Sequence, residues 1–462
     1  MKFKLVPGSI VAAKGFLAAG VFCDIKRLGT GRGSNKGRKR DLALIFSEAP
    51  AVAAGLFTTN QICAAPVKVC LAHLKKGRAR AVVVNSGNAN ACTGKEGLKD
   101  ATDMAELTAK ALNAQPPRAP SDTTKDFRRL TVGVDEVLVA STGRIGVPLP
   151  MENVRRGIFS ASELLEPLRE KSAHVAEAIM TSDTRPKEIA LEFSLGGKTV
   201  RLGGVCKGAG MIQPGMSDNG ARPAAMPLHA TMLCFITTDA EVERGALQKC
   251  LREAVAQSFN RITVDGDMST NDSVIVLANG MARNRRVTDS STATAKEDRA
   301  IFQSALNHVC LELAKMIVRD GEGVSRFVTV HLEGAKSFVE ADAAARAVAN
   351  SALVKTSWHG GDPNWGRIIA ALGYSGAEVR EKKVDIAYSR PGGKKRLYSL
   401  RRGQPTVTPF RTLCKLVAQR EFDLHINLNL GRGEAVIYAG DLTEDYVDFN
   451  KGDVKDPASM GG

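Results

Sequence analysis

The segment Lys207-Gly208-Ala209-Gly210-Met211-Ile212-Gln213-Pro214 is followed by Ala230-Thr231-Met232-Leu233 and an apolar run ending at Thr237-Thr238-Asp239-Ala240. A threonine between a small residue and a short apolar run, near mid-chain, is where a self-cutting precursor would place a nucleophile destined to become an N-terminus. One residue then supplies both halves of the chemistry, because its hydroxyl attacks an acyl carbon and its freed α-amine takes the proton. An α-amine titrates at about pH 8, near enough to neutrality to act as general base without a histidine. Read alone, the segment better suits an ordinary capping threonine at the start of a buried helix or strand.

Three further groups have a chemical reading beside a plain one. Ser141-Thr142-Gly143 ends the apolar run Val137-Leu138-Val139-Ala140. A hydroxyl and a backbone N–H at such a turn can face one point, as a developing oxyanion requires; the alternative is an ordinary strand end. Lys207 precedes glycines that allow backbone to approach a ligand, and its ammonium can hold a carboxylate as a point charge; most lone lysines are simply solvated. Glu322, between Gly321 and Gly323, is placed to meet an amino group or to be an exposed loop glutamate.

The elements that must position these groups read as mixed α/β. Ala81–Val84, Val137–Ala140 and Ser273–Ala278 are short apolar runs that stop at small or turn residues, as buried strands do. Leu98–Leu112, Ser160–Ile179, Glu241–Phe259 and Lys296–Arg319 carry apolar residues at helical spacing. Gln115 to Pro120 is a proline-rich stop, and Arg283 to Ser291 a polar connection.

A chain of 462 residues, 44% hydrophobic, suggests two or three structural units. No apolar run reaches the length of a bilayer span, and the start Met1-Lys2-Phe3-Lys4-Leu5-Val6-Pro7 has too short an apolar core for a signal peptide, so a cytoplasmic protein is expected. The nine cysteines form no CxxC pair and no zinc-type spacing with histidine, so they read as buried small residues and no metal site is expected. The seven histidines are dispersed, and His359 reads as a hydrogen-bonded core or loop residue. The net charge of +15 raises the question of nucleic acid. Its clusters at Lys26-Arg27 with Arg32 to Arg40, and at Lys382-Lys383, Lys394-Lys395-Arg396 and Arg401-Arg402, lack interleaved aromatics, which are 5% of residues. A stacking platform for single strands is therefore not expected. The first cluster, broken by Gly29, Gly31, Gly33 and Gly37, reads as a solvated loop without a Gly-Lys-Ser/Thr phosphate motif.

Gly55-Leu56-Phe57-Thr58-Thr59-Asn60, Val84-Asn85-Ser86-Gly87-Asn88-Ala89-Asn90-Ala91-Cys92-Thr93-Gly94, Ser141-Thr142-Gly143-Arg144-Ile145-Gly146, Thr181-Ser182-Asp183-Thr184 and Asp320-Gly321-Glu322-Gly323 occur in a specific order around the Lys207 and Thr231 segments. In that order they resemble the ornithine acetyltransferase family, also called glutamate N-acetyltransferase. The resemblance runs from Gly15-Phe16 to Asp441-Leu442-Thr443-Glu444-Asp445-Tyr446.

It implies a layered sandwich of β-sheets and helices, α/β (α+β) in class, self-cleaved between Ala230 and Thr231 into an α chain (1–230) and a β chain (231–462) that assemble as an α2β2 heterotetramer. It implies Thr231 as nucleophile, Thr142 and Gly143 as the oxyanion hole, and Thr181, Lys207, Thr231, Glu322 and Asn450 as substrate-binding positions. The implied substrates are N-acetylornithine and glutamate, with no cofactor beyond acetyl-CoA as co-substrate in bifunctional members. The segments Val264 to Asp272 and Gly360 to Arg367 also match, and read as scaffold loops. Two departures stand out. Ser217 to His229 intervene before Ala230-Thr231 and read as a flexible surface insertion, and the family's C-terminal threonine or serine is replaced by Lys455 in a simple count, with Ser459 nearby. A self-processing aminopeptidase or amidohydrolase, with water as acceptor, is the alternative enzyme; a basic binding protein with a structural threonine is the third reading.

Overall fold

The computed structural model describes residues 3–28, 39–116, 131–219 and 232–451. Among the described residues, the strands are β1 (Lys4–Leu5), β2 (Phe16–Val21), β3 (Leu42–Thr58), β4 (Arg78–Asn88), β5 (Val137–Arg144), β6 (Lys187–Leu195), β7 (Lys198–Lys207), β8 (Met216–Ser217) and β9 (Leu233–Thr238). They continue with β10 (Ile262–Thr263), β11 (Ser273–Ala278), β12 (Phe327–Ala335), β13 (Asp385–Ser389), β14 (Leu397–Arg401), β15 (Gln404–Pro405), β16 (Glu421–Asn427) and β17 (Gly433–Gly440). The helices are α1 (Ile25–Leu28), α2 (Ala65–His73), α3 (Gly94–Ala114), α4 (Met151–Glu163), α5 (Arg169–Ala178) and α6 (Arg244–Ala256). After them come α7 (Ala293–Arg319), α8 (Phe338–Asn350), α9 (Ala352–His359), α10 (Trp365–Gly373), α11 (Phe410–Val417) and α12 (Glu444–Phe449).

The strands form two sheets. In the ten-stranded sheet the path is β1-β6-β7-β9-β11-β3-β4-β5, with β2 and β8 also paired to β3; the seven-stranded sheet runs β10-β17-β12-β16-β13-β14-β15. The first sheet is covered on both faces, which is why its strands read as continuous apolar runs. On β11, Val274 and Val276 join the core with α6 and α7, whereas Ile275 and Leu277 join the core with α5. The second sheet packs Val328, Val330, Leu424 and Ile426 against α8 to α11.

The helices expected at Leu98–Leu112, Glu241–Phe259 and Lys296–Arg319 are α3, α6 and α7, with shifted ends. Ser160–Ile179 is corrected: α4 ends at Glu163 and α5 starts at Arg169. Pro167 lies in the break, and a proline lacks the amide proton and disfavours helical backbone before it.

Two surface expectations also change. Lys26 is 3% exposed and donates 2.6 Å to the Arg40 carbonyl, while Arg40 pairs with Glu177 at 2.7 Å, so both ends of the first basic cluster are built into the fold. Residues 29–38 lie outside the described residues. Of the nine free cysteines, six are buried, Cys63 and Cys414 are half-buried, and Cys92 is exposed. His359 is a loop-facing partner of Asp441 and Glu444, at 3.5 and 3.1 Å. Among the described residues no helix is long and apolar enough to cross a membrane.

The boundary at 230/231 does not separate two domains. β9 and β11, which follow it, insert between β7 and β3, which precede it. The two halves therefore share one sheet.

Candidate active site

β5 delivers Thr142 and Gly143 where it pairs with the end of β4, with Ser86 opposite Thr142 and Gly87 opposite Gly143. Gly143 has φ 131°, and a Cβ there would lie 2.4 Å from the Gly87 carbonyl carbon, so only glycine fits between the two strands. The strand end is tied down by Ser141 Oγ, which donates 2.5 Å to Asn85 Oδ1, and by Asn271 Nδ2, which donates 2.8 Å to the Ser141 carbonyl.

Lys207 closes β7 and is 2% exposed. Its Nζ donates to Thr142 Oγ1 at 3.2 Å and to Thr181 Oγ1 at 2.8 Å. A hydroxyl that accepts from an ammonium must turn its own proton elsewhere, so Lys207 leaves the Thr142 O–H available to a third atom. Burial pushes the Lys207 pKa down, and the neighbouring Asp183 opposes that push. For Asp183, burial alone would raise the pKa, but the charges of Lys187 and Lys207 outweigh it and hold the carboxyl well below its ordinary range.

Glu322 sits in the turn after α7, where its N–H donates 3.0 Å to the carbonyl of Ala209, two residues beyond Lys207. Its carboxylate lies against Gly210, where a Cβ would come within 2.3 Å of Oε2. Asn450, the residue after α12, donates from Nδ2 to Glu322 Oε2 at 3.0 Å. Thr142, Thr181 and Lys207 thus form one direct cluster, and Glu322 with Asn450 a second, joined to the first through the Ala209 backbone.

Ala230 and Thr231 lie outside the described residues, as do Lys455 and Ser459. Met232 is described and fully buried. In the next register row, Leu233 of β9 stands between Lys207 of β7 and Ser273 of β11. The chain therefore enters β9 beside Lys207. Of the insertion, only Ser217 to Asn219 are described: Ser217 is paired in β8 with Phe57, and Asp218 forms an ion pair with Arg252, so its first residues belong to the fold rather than to a loose loop.

The sequence pattern of the ArgJ family matches residues 19–452. The chain belongs to the ArgJ family. It is 44% identical over 443 residues to the arginine biosynthesis bifunctional protein ArgJ of Symbiobacterium thermophilum, covering 96% of this chain and 98% of that one. It is 41% identical over 452 residues to the glutamate N-acetyltransferase of Methanocaldococcus jannaschii, covering 97% and 98% of the two chains. A solved ornithine acetyltransferase from Mycobacterium tuberculosis, complexed with ornithine, is 37% identical, with 47% of this chain and 100% of that chain covered and a TM-score of 0.39.

In this ArgJ-family chain the segment Val264 to Asp272, expected as scaffold, grips the site from three sides. Asp265 accepts the N–H groups of Met211 and Ile212 at 2.7 and 2.8 Å, fixing the loop after Lys207. Asn271 holds the end of β5. Asp272, fully buried, accepts the N–H of Met232 on Oδ1, while its Oδ2 has no hydrogen-bond partner among the described residues. Burial lifts the Asp272 carboxyl well above its ordinary range, against the opposing pull of the Met232 amide and the Lys207 charge. The run of polar residues between two apolar stretches was visible in the sequence; its partners, far off in the chain, were not.

Proposed function

We infer that this chain is an acyltransferase of arginine biosynthesis that moves the acetyl group of N2-acetyl-L-ornithine to L-glutamate through an acetyl-threonine intermediate. The observation that carries this reading is the Lys207 ammonium between the hydroxyls of Thr142 and Thr181, beside the point where the chain enters β9. In this reading the Thr231 hydroxyl attacks the acetyl carbon and its α-amine takes the hydroxyl proton. The Thr142 O–H, turned away from Lys207, and the Gly143 N–H receive the developing oxyanion. The carbon–nitrogen bond breaks, the proton passes to the leaving nitrogen and ornithine departs. The amine of glutamate then attacks the acetyl ester by the reverse steps, freeing the threonine. Thr181, Lys207, Glu322 and Asn450 hold the amino-acid portion, with Glu322 facing the ammonium group.

The same reading includes self-cleavage between Ala230 and Thr231 and a mature protein of chains 1–230 and 231–462 that pairs into an α2β2 heterotetramer in the cytoplasm. The sharing of one sheet by the two halves supports their staying together after the cut. No cofactor is needed for the transfer, and acetyl-CoA is a second acetyl donor if the enzyme is bifunctional.

The test is incubation with N-acetylornithine, with and without glutamate. Acetylglutamate formation with ping-pong kinetics supports the reading. Net hydrolysis would move it to an amidohydrolase, and absence of turnover to a binding protein. The same assay with acetyl-CoA as donor reports the bifunctional activity.

A further inference from the structure

We propose that Lys187 is a positioning residue of the acetyl-transfer site, a buried strut that sets the Thr181–Lys207 half and the Glu322 half of the pocket against each other. The proposal rests on the acetyltransferase reading above. Lys187 opens β6 and is 1% exposed. Its Nζ donates 2.6 Å to Asp183 Oδ1 and also donates to Asp320 Oδ2.

Each carboxylate reaches a different part of the site. Asp183 accepts the Gly208 N–H at 2.8 Å on Oδ1 and the Thr181 N–H at 3.0 Å on Oδ2, so it holds the backbone next to both groups that flank the reaction centre. Asp320 accepts the Thr184 N–H at 3.1 Å and the Thr184 hydroxyl, and lies two residues before Glu322. The Glu322 amide then returns to Ala209, which closes a ring of contacts through Asp183, Lys187, Asp320, Glu322, Ala209 and Gly208.

Chemistry favours a single ammonium at the hub. Burial pushes the Lys187 pKa down, but the two carboxylates outweigh it and the net direction is up, so the group stays charged. Arg185, at 3.7 Å, is the other cation on Asp320. A buried charge without its partner is strongly unfavourable, so Lys187, Asp183 and Asp320 have little freedom to move apart. Residues 187 and 320 also fall on opposite sides of the 230/231 bond, so the strut joins the two halves whether or not the chain is cut.

The experiment compares Asp320→Asn, and the charge-matched pair Lys187→Met/Asp320→Asn, with the native protein. Lys187→Met alone would leave the Asp183 and Asp320 carboxylates buried without the ammonium between them, and the pair removes one of those two charges so that the net charge is kept. The readouts are Tm, kcat and KM for N-acetylornithine, ornithine binding by calorimetry, and acetylation by p-nitrophenyl acetate, a donor with no amino group for Glu322 to hold.

Asp320→Asn keeps an acceptor for Thr184 but loses the ion pair, and KM should rise about tenfold, the scale of one charge-assisted hydrogen bond, while ester acetylation stays near native. The pair should show that KM effect and a lower kcat as well, because Asp183 loses its anchor. A native KM in Asp320→Asn, or KM, ester acetylation and Tm all deteriorating together, would overturn the proposal. The parent reading is judged separately, on the native protein. If the native protein binds ornithine without transferring acetyl, that reading falls and the strut is still tested by ornithine affinity. If the native protein does neither, both fall.

Discussion

In the ten-stranded sheet the ammonium groups of Lys187 and Lys207 lie inside the protein, each held between two oxygen partners on other segments. In the seven-stranded sheet the row of His331, His425 and Asp423, the last two buried, lies on the face turned away from α8 to α11, while the basic runs at Lys382-Lys383 and Lys394-Lys395-Arg396 are exposed. His425 stacks on His331 at 4.9 Å and its Nε2 meets Ser389 Oγ at 2.9 Å. The difference teaches where fixed polarity is needed. A buried, paired charge is held to one geometry, which is what stabilisation of a transition-state charge demands, whereas the exposed charges of those basic runs are screened by solvent and contribute little. The first sheet carries the site; the second supplies Asn450 only through the chain that leaves β17.

The sharpest way to break this contrast is at the proposed nucleophile. Thr231→Ala should leave one uncut, inactive chain, whereas native protein should run as two fragments, the later one starting Thr231-Met232-Leu233. Gel electrophoresis and N-terminal sequencing decide it, and full activity in an intact chain would sink the mechanism.

Next in size is Thr142→Ala. Loss of one preorganised oxyanion donor costs about a hundred- to a thousandfold in kcat, with a much smaller change in KM. Steady-state kinetics check it; a raised KM at native kcat would reduce Thr142 to a ground-state contact.

A smaller effect is expected from Asp183→Asn. Burial favours the neutral amine of Lys207 and Asp183 opposes this, so removing the charge lowers the Lys207 pKa further. The alkaline limb of the kcat/KM profile should move to lower pH. An unmoved limb would mean that Lys207 does not act as a cation in the rate-determining complex.

The second sheet provides the smallest effect. Burial, helped by Arg396 and His331, pushes His425 down from 6.5 to about 4. Between those values the unfolded chain binds more protons than the folded one, so this group's effect is to make stability fall as pH drops from 6.5 toward 4. His425→Gln should flatten that decline in urea midpoints and leave acetyl transfer unchanged.

Much of the site was legible because its parts are short, ordered motifs in which the residue type itself states the chemistry. Thr142, Thr181 and Lys207 do meet, and Glu322 does meet Asn450. Less legible were the groups that hold them. Asp183 and Asp320 were visible only as members of motifs, and Lys187 belonged to none; nothing in local spacing says that one ammonium joins carboxylates 137 positions apart, as the hydrogen bonds of Asp183 and Asp320 require. The single helix expected over Ser160–Ile179 shows the opposite limit. Apolar periodicity continued across Pro167, although that proline's own chemistry already marked the break.

Sequence by itself determined the local matters: a continuous apolar run for β11, helical spacing for α3 and α7, a glycine where β5 meets β4, and the reactive residue types with their order. These follow from side-chain and backbone preferences that act over a few residues. Tertiary structure alone decided which distant segments share charge, because the pKa directions of Lys187 and Lys207 depend on burial and on partners supplied by other turns. Both are buried lysines at the ends of one hairpin, yet two carboxylates raise the pKa of one, while burial lowers that of the other beside its hydroxyl partners. That distinction exists only once the chain has folded.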